Sequence, residues 1–172
     1  MHRTRIGSPF VLEKMIQIAG QSPREKIAGF EANGGFFYSS LLTRDSILPI
    51  LLVMAEMRKS GKSLSQIVAD LPPRYTQSRL QRNTRVEKGQ ALLARLQGLP
   101  PGQPISSELA RFGVIQSLNQ TDGMRFKLSS DTIIHFRPSG NAPEFRVYAE
   151  AATHAQAREL CQAGLAWVKS SV

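Results

Sequence analysis

The first 70 residues combine helical and strand-like spacing of apolar positions. Apolar side chains recur every three or four positions from Val11 to Ile18, which predicts a first helix. Asp45 can cap a second, strongly apolar helix, whose first turn tolerates Pro49 because the missing N–H costs little there. The predicted helices cover residues 9–19, the stretch from Asp45 to about Lys59, and residues 64–70; the predicted strands cover residues 26–30 and 36–38.

After the proline-rich step at residues 71–73 the pattern changes to successive strands. The last of them alternates apolar and polar residues, as a strand with one buried face does. The final helix begins at Thr153, with Gln156 in place to complete a capping box. The predicted strands are residues 75–81, 114–118, 124–128, 132–136 and 144–150, and a further helix covers residues 86–96. This order predicts an α+β domain in which a four-stranded antiparallel sheet carries its helices on one face.

Composition narrows the class of protein. Hydrophobic residues make up 41% and charged residues 20% of the 172 positions, which is typical of a soluble globular chain. Cys161 is the single cysteine and lies on the apolar face of the last helix, so we expect it to be a packing residue in a cytoplasmic protein. The longest apolar run, residues 47–55, is too short for a bilayer, and we expect no membrane partner. The three histidines are too scattered to predict a metal site.

The net charge of +9 favours anionic partners, either nucleic acid or phosphorylated small molecules. Within residues 74–88, the most basic stretch, no two lysines or arginines are consecutive, and only Tyr75 offers a ring for stacking. A solvated basic face explains this stretch better than a nucleic-acid site does. Nucleic-acid binding would predict a steep salt dependence of binding to unrelated DNA, and we expect no nucleic-acid partner.

The loop at residues 137–143, between two predicted strands, carries the clearest chemistry. Arg137 can present a forked, permanently charged guanidinium to phosphate oxygens, and Ser139 and Asn141 add neutral donors. Gly140 would let the backbone turn so that successive N–H groups face an anion. The alternative is an ordinary proline- and glycine-containing turn with a solvated arginine. On chemistry alone the two interpretations are equally supported.

A family resemblance favours the phosphate site. The string HFRPSGNAPEFRVYAEA resembles the phosphate-binding loop and following strand of the α-D-phosphohexomutases, the phosphoglucomutase and phosphomannomutase superfamily. The family pattern is Arg-Pro-Ser-Gly-Thr-Glu-Pro, so this chain departs from it at Asn141 and Ala142. The resemblance implies that Arg137, Ser139 and Asn141 hold the phosphate of a bound sugar, with Gly140 in the same loop.

A second segment resembles the same family. Residues 24–38, REKIAGFEANGGFFY, are similar to the sugar-recognition loop of the family's third domain, and their variant resembles a bacterial phosphomannomutase branch. The resemblance implies that Glu31 and Asn33 bind sugar hydroxyls. Gly35 stands where the family usually has His, so a contact from that side chain is missing. Without the resemblance, Glu31 would be interpreted as an ordinary turn carboxylate.

The resemblance implies a domain organisation. Residues 1–70 would be the C-terminal part of the third, α/β domain, and residues 74–172 the complete fourth, phosphate-binding domain. Family enzymes interconvert hexose 1-phosphate and 6-phosphate through a phosphoserine, and they hold Mg²⁺ with an aspartate loop. Neither the Thr-Ala-Ser-His-Asn-Pro-like string nor the Asp-Gly-Asp-x-Asp-Arg string occurs in these 172 residues.

The resemblance therefore implies that this chain binds the substrate but lacks the groups that catalyse phosphoryl transfer. We expect a mannose or glucose phosphate as ligand and no mutase turnover by the chain alone; the Mg²⁺ ligands and the sugar bisphosphate activator would belong to the full-length family enzyme. The missing N-terminal half would be a possible partner. A non-catalytic phosphosugar-binding or regulatory module is the alternative, and a truncated chain, a split gene and a relic stay open as origins.

Overall fold

The computed structural model describes residues 1–22, 26–31, 34–38, 41–139 and 142–171. The chain divides into two compact units, Met1–Pro72 and Pro73–Val172. Within the described ranges, no helix is both long enough and apolar enough to cross a membrane.

The described residues of the first unit form a small three-stranded sheet with three helices. Its strands are antiparallel in the order β1-β2-β3, and its core consists of Val11, Met15 and Phe37, with two partly buried side chains around them. The elements are α1 (Ser8–Gln21), β1 (Ala28–Phe30), β2 (Phe36–Tyr38), β3 (Leu41–Asp45), α2 (Leu48–Ser60) and α3 (Leu64–Ala69).

The N-cap of α2 is Ile47, which has no side-chain cap hydrogen bond, rather than the predicted Asp45, which lies two residues earlier. The Asp45 Oδ1 accepts hydrogen bonds from the backbone N–H groups of Ile47 and Leu48, both at 2.7 Å. Gly61 ends the helix in the left-handed conformation, with φ of 68°. Strand β3 was not predicted, because four of its five residues are exposed and its burial pattern does not alternate. None of the α2 side chains is buried, although most of them are apolar.

The second unit is a five-stranded antiparallel sheet in the order β4-β8-β7-β6-β5. Its elements are β4 (Tyr75–Arg82), α4 (Val86–Gln97), a 3-10 turn (Ala110–Phe112), β5 (Ile115–Asn119), β6 (Met124–Leu128), β7 (Ile133–Pro138), β8 (Glu144–Ala151) and α5 (His154–Ser171).

The prediction of a four-stranded sheet was wrong by one strand. The segment predicted as a strand at residues 75–81 joins the sheet as β4, and it pairs with β8 along its whole length, from Tyr75 opposite Ala151 to Arg82 opposite Glu144. The pairing joins segments about 70 positions apart in the chain, so local spacing alone did not reveal it. The α+β arrangement itself is confirmed.

Helices α4 and α5 cover one face of this sheet. Along β8, Phe145, Val147 and Ala149 are buried on that face, while the intervening polar side chains lie on the other. Helix α5 approaches so closely that a Cβ added at Gly164 would lie 2.6 Å from Ile134 Cδ1. The Thr153 hydroxyl accepts a hydrogen bond from the Gln156 N–H at 3.2 Å, as a cap at this position requires. The opposite face of the sheet remains polar, and the candidate site lies there.

Candidate functional site

The predicted phosphate loop connects β7 to β8. Of its predicted site residues, Arg137 and Ser139 are described, whereas Gly140 and Asn141 lie outside the described residues. The Ser139 N–H donates to the Glu144 carbonyl at 2.8 Å, which closes the hairpin. This N–H is used by the sheet, so it does not belong to an anion nest.

The far end of the loop is also anchored to the body of the unit. The Thr84 N–H donates to the Pro143 carbonyl at 2.9 Å, and Thr84 is buried. On the other side, a Cβ added at Gly89 of α4 would lie 3.4 Å from the Cβ of Pro138, so the helix lies directly against the base of the loop. The loop therefore starts and ends on fixed backbone.

Arg137 lies on the polar face of β7, one residue after the buried Phe136. Its Nε donates to Asp122 Oδ2 at 2.8 Å, and the two side chains are only 17% and 18% exposed. A largely buried arginine held by a carboxylate is oriented rather than freely solvated, so the simple solvated-turn interpretation does not describe this side chain.

Arg146 is a second arginine at the site, which sequence reasoning did not assign. It lies directly opposite Arg137 across β7 and β8, on the same polar face. Like charges at directly opposed positions are unfavourable unless they are compensated, and Glu144 accepts from Arg146 at 3.3 Å. Hydrogen bonds with Tyr148 and with Glu144 raise the pKa of the Arg146 guanidinium above its ordinary value. Alternation along β8, combined with the strand register, would have identified it.

Arg146 and Tyr148 also border an open cavity of about 410 Å³ beside β4. Its volume falls within the range usual for small-molecule sites. The remaining lining residues are Ser78, Arg79, Leu80 and Leu165.

His135 fills a strand position, as predicted. Its ring stacks on Tyr148 with 5.5 Å between centroids, and its Nε2 lies 2.5 Å from the Asp122 carbonyl oxygen. Burial lowers the pKa of His135 below its ordinary value, which favours the neutral ring. Cys161 is buried in the core, where burial raises the pKa of the thiol to about 11, so it packs rather than reacts.

The predicted sugar-binding carboxylate, Glu31, lies at the turn between β1 and β2. Its N–H donates to the Gly35 carbonyl at 2.8 Å, and its side chain is 7% exposed. The Ser8 hydroxyl at the start of α1 donates to Glu31 Oε2 at 2.9 Å, and Arg44 Nε of β3 lies 4.0 Å from the same oxygen. Side chains from two other elements of the first unit, α1 and β3, therefore lie at this carboxylate. Its predicted neighbour Asn33 lies outside the described residues.

Gly35 leaves the space that this arrangement needs. A Cβ at this position would lie 2.6 Å from Arg44 Nε and 2.8 Å from Glu31 Oε2. The arginine therefore occupies the room that a side chain at position 35 would take. Sequence reasoning identified the departure at Gly35 but missed Ser8 and Arg44, because both approach from distant positions in the chain.

No metal ligand set accompanies these residues. Across the ranges that the structure describes, no group of three or more His, Cys, Asp or Glu side chains could hold a metal ion. The Mg²⁺ that the resemblance implies for the full-length enzyme therefore has no ligand set among the described residues.

Comparison with known proteins supports the family resemblance. The family model for phosphoglucomutase/phosphomannomutase, alpha/beta/alpha domain III, matches residues 1–75. A phosphomannomutase of Salmonella muenchen is 34% identical over 185 residues, with 100% of this chain and 37% of the relative covered. A phosphomannomutase of Sinorhizobium fredii is 34% identical, with 99% and 38% covered. A phosphoglucosamine mutase of Methanocaldococcus jannaschii is 27% identical, with 99% and 34% covered. The chain thus spans little more than a third of the length of these relatives.

Proposed function

Because the chain belongs to the α-D-phosphohexomutase superfamily, as a C-terminal portion of it, we propose that it is the substrate-binding part of a phosphomannomutase-type enzyme. Its ligand would be a phosphorylated hexose, mannose or glucose phosphate. The full-length reaction would interconvert the 1-phosphate and the 6-phosphate through a phosphoserine.

The two compact units support a division of labour. We assign residues 1–70 to the C-terminal part of the third domain and residues 74–172 to the fourth, phosphate-binding domain. The boundary between the units at Pro72 and the family match over residues 1–75 support this assignment. Glu31 and Asn33 would bind sugar hydroxyls from the first unit, and the loop after Arg137 would bind phosphate from the second.

The observation that carries the proposal is the orientation of Arg137. A guanidinium held through its Nε by a carboxylate can direct its two terminal nitrogens, which lie in one plane, at a pair of phosphate oxygens. Arg146 directly across the strand pair adds a second permanent cation beside the same loop. The Ser139 and Asn141 side chains would add neutral donors. Together these groups match a dianion better than a neutral ligand.

Phosphoryl transfer itself needs groups that this sequence does not contain. The phosphoserine loop would supply the nucleophile and the aspartate loop would hold the Mg²⁺ that neutralises charge, and neither string occurs in the 172 residues. We therefore propose binding without turnover for this chain alone. A sugar bisphosphate activator would act on the full-length enzyme.

Titration calorimetry with mannose 6-phosphate tests the binding role. Arg137→Ala would remove two charged hydrogen bonds to phosphate and should therefore weaken binding at least about tenfold. Arg111→Ala is the matched control, because Arg111 is an exposed, ion-paired arginine of the same unit on a different element. Equal affinity of the wild-type chain and Arg137→Ala would overturn the assignment.

A coupled assay for conversion of mannose 1-phosphate to mannose 6-phosphate tests the catalytic half of the proposal. We expect no turnover above background by the isolated chain. Robust turnover would show that the chain carries its own phosphoryl-transfer machinery and would contradict the proposal. If the chain binds phosphosugars and its source cell contains no catalytic partner for it, the alternative of a regulatory module would instead be favoured.

A further inference from the structure

The turn between β5 and β6 contacts the strand that leads into the phosphate loop. We refer to Asp122 and Gly123 as the β5–β6 turn. Asp122 Oδ2 accepts the 2.8 Å hydrogen bond from Arg137 Nε, and both side chains are more than four-fifths buried. The pair lies on the polar face of the sheet, on the side opposite the buried Phe136.

The same turn holds a second side chain of β7. The Asp122 carbonyl can only accept, so the 2.5 Å contact with His135 Nε2 places the ring proton on that nitrogen. His135 and Arg137 are the two residues of β7 that flank Phe136 on the polar face. One residue of the turn is therefore bonded to both of them, once through its side chain and once through its backbone.

The third contact of the turn is close packing of its backbone against the backbone of β7. Gly123 has a φ of 79°, and a Cβ there would overlap the Phe136 carbonyl oxygen and lie 3.2 Å from the Cα of Arg137. The turn is thus pressed against the backbone of the arginine as well as bonded to its side chain. Only glycine allows both the conformation and the approach.

We propose that Asp122 is a positioning residue, which orients the Arg137 guanidinium toward a phosphate bound at the β7–β8 loop. The inference rests on the proposed function of that loop. Asp122 occupies the Nε edge of the fork, so the edge formed by the two terminal nitrogens faces the ligand. Holding the group beforehand reduces the conformational entropy lost when phosphate binds.

Asp122 has a competing electrostatic effect on binding. Its negative charge lies beside the cation and lowers the positive potential that an anion would meet. Removing the carboxylate would therefore strengthen phosphate binding if charge were its only influence, and weaken binding if orientation dominates. Asp122→Ala removes the hydrogen bond and the charge together, whereas Asp122→Asn keeps an acceptor for Arg137 and removes only the charge. The two variants separate the effects.

The test measures the affinity of the full chain for inorganic phosphate and for mannose 6-phosphate by calorimetry. We expect Asp122→Ala to weaken both about tenfold, as loss of one well-aligned charged hydrogen bond would. Asp122→Asn should bind within about twofold of wild type or more tightly. The control is Glu150→Ala, which removes a carboxylate that pairs with Arg74 and Arg125 on the same sheet. Its phosphate affinity should not change.

NMR and unfolding measurements on the same variants accompany the affinity measurements. The NMR signal of the Arg137 Nε–H should be observed, and protected from exchange with water, in the wild type and in Asp122→Asn, and be lost in Asp122→Ala. Urea unfolding followed by fluorescence of Trp167, the single tryptophan, verifies that each variant is folded under the binding conditions.

Each outcome has a definite consequence. Weak binding by Asp122→Ala with near-normal binding by Asp122→Asn supports the positioning role. If Arg137→Ala weakens binding but Asp122→Ala binds as tightly as wild type or more tightly, the positioning role is overturned and the phosphate loop stands. If wild type does not bind phosphate, or Arg137→Ala binds equally well, the proposed function fails and the inference fails with it.

Discussion

Gly123→Ala is the substitution whose cost can be worked out most directly from the structure. Alanine at a φ of 79° carries left-handed strain of about 1–2 kcal/mol. Its methyl group would also overlap the Phe136 carbonyl, a backbone atom that cannot rotate away, and crowd the Cα of Arg137. Overpacking of this kind costs about 1–3 kcal/mol. The sum is about 2–5 kcal/mol, a large part of the stability of an ordinary domain.

Gly102→Ala provides the matched control for this prediction. Gly102 has a φ of 83°, and nothing lies within 4 Å of a Cβ built on it. Alanine there carries the conformational strain of about 1–2 kcal/mol without the clash. Both glycines belong to the second unit, so the same measurement reports on both.

The assay is urea unfolding monitored through Trp167, which is buried in the core of that unit. The free energy of unfolding should fall more for Gly123→Ala than for Gly102→Ala, by the steric part of about 1–3 kcal/mol. Gly123→Ala should also lower phosphate affinity, because the turn that holds Arg137 must move. Equal losses of stability in the two variants would refute the close approach of the turn to β7.

Three further predictions concern other parts of the two units. Gly35→Ala should weaken hexose-phosphate binding and leave inorganic phosphate affinity unchanged, because the new methyl group displaces the Arg44 and Glu31 side chains. Calorimetry with both ligands measures this, and an equal loss of affinity for the two ligands would contradict it. Burial holds the pKa of His135 below its ordinary value, so the unfolded state binds the proton first and the free energy of unfolding should fall as the pH drops through about 6.5. His135→Gln should reduce that slope, and an unchanged slope would refute the burial argument. Asp45→Ala removes the acceptor of the Ile47 and Leu48 amides, so it should speed their exchange with water and cost about 0.5–1.5 kcal/mol, whereas Asp45→Asn should largely preserve both hydrogen bonds.

Local features of the fold were predictable wherever short-range chemistry decides the structure. Strand β6 was predicted with both ends correct, at Met124–Leu128, because turn residues bound it on each side. The Thr153 cap was also predicted correctly, since a cap depends on a few neighbouring residues. Each of these features depends on residues that are close together in the sequence.

Features that depend on pairing between distant segments were not predictable in the same way. Strand β3 escaped prediction because it is exposed and its apolar residues do not alternate. The inclusion of β4 in the sheet depends on its register with β8. For the site, the motifs identified Arg137 and Glu31. Their partners come from distant positions in the chain: Asp122 contacts Arg137, and Ser8 and Arg44 contact Glu31. A sequence motif identifies the residue that could contact a ligand, whereas the residues that orient it are known only from the fold.

The most direct test of the central claim is an NMR titration of the full chain with mannose 6-phosphate, following every backbone amide. The account predicts saturable shifts centred on Arg137, Ser139 and the adjoining start of β8, and no comparable shifts with unphosphorylated mannose. Shifts that are absent, or that are equally large with mannose, or that lie away from the β7–β8 loop, would contradict the conclusion that this loop binds the phosphate of a hexose.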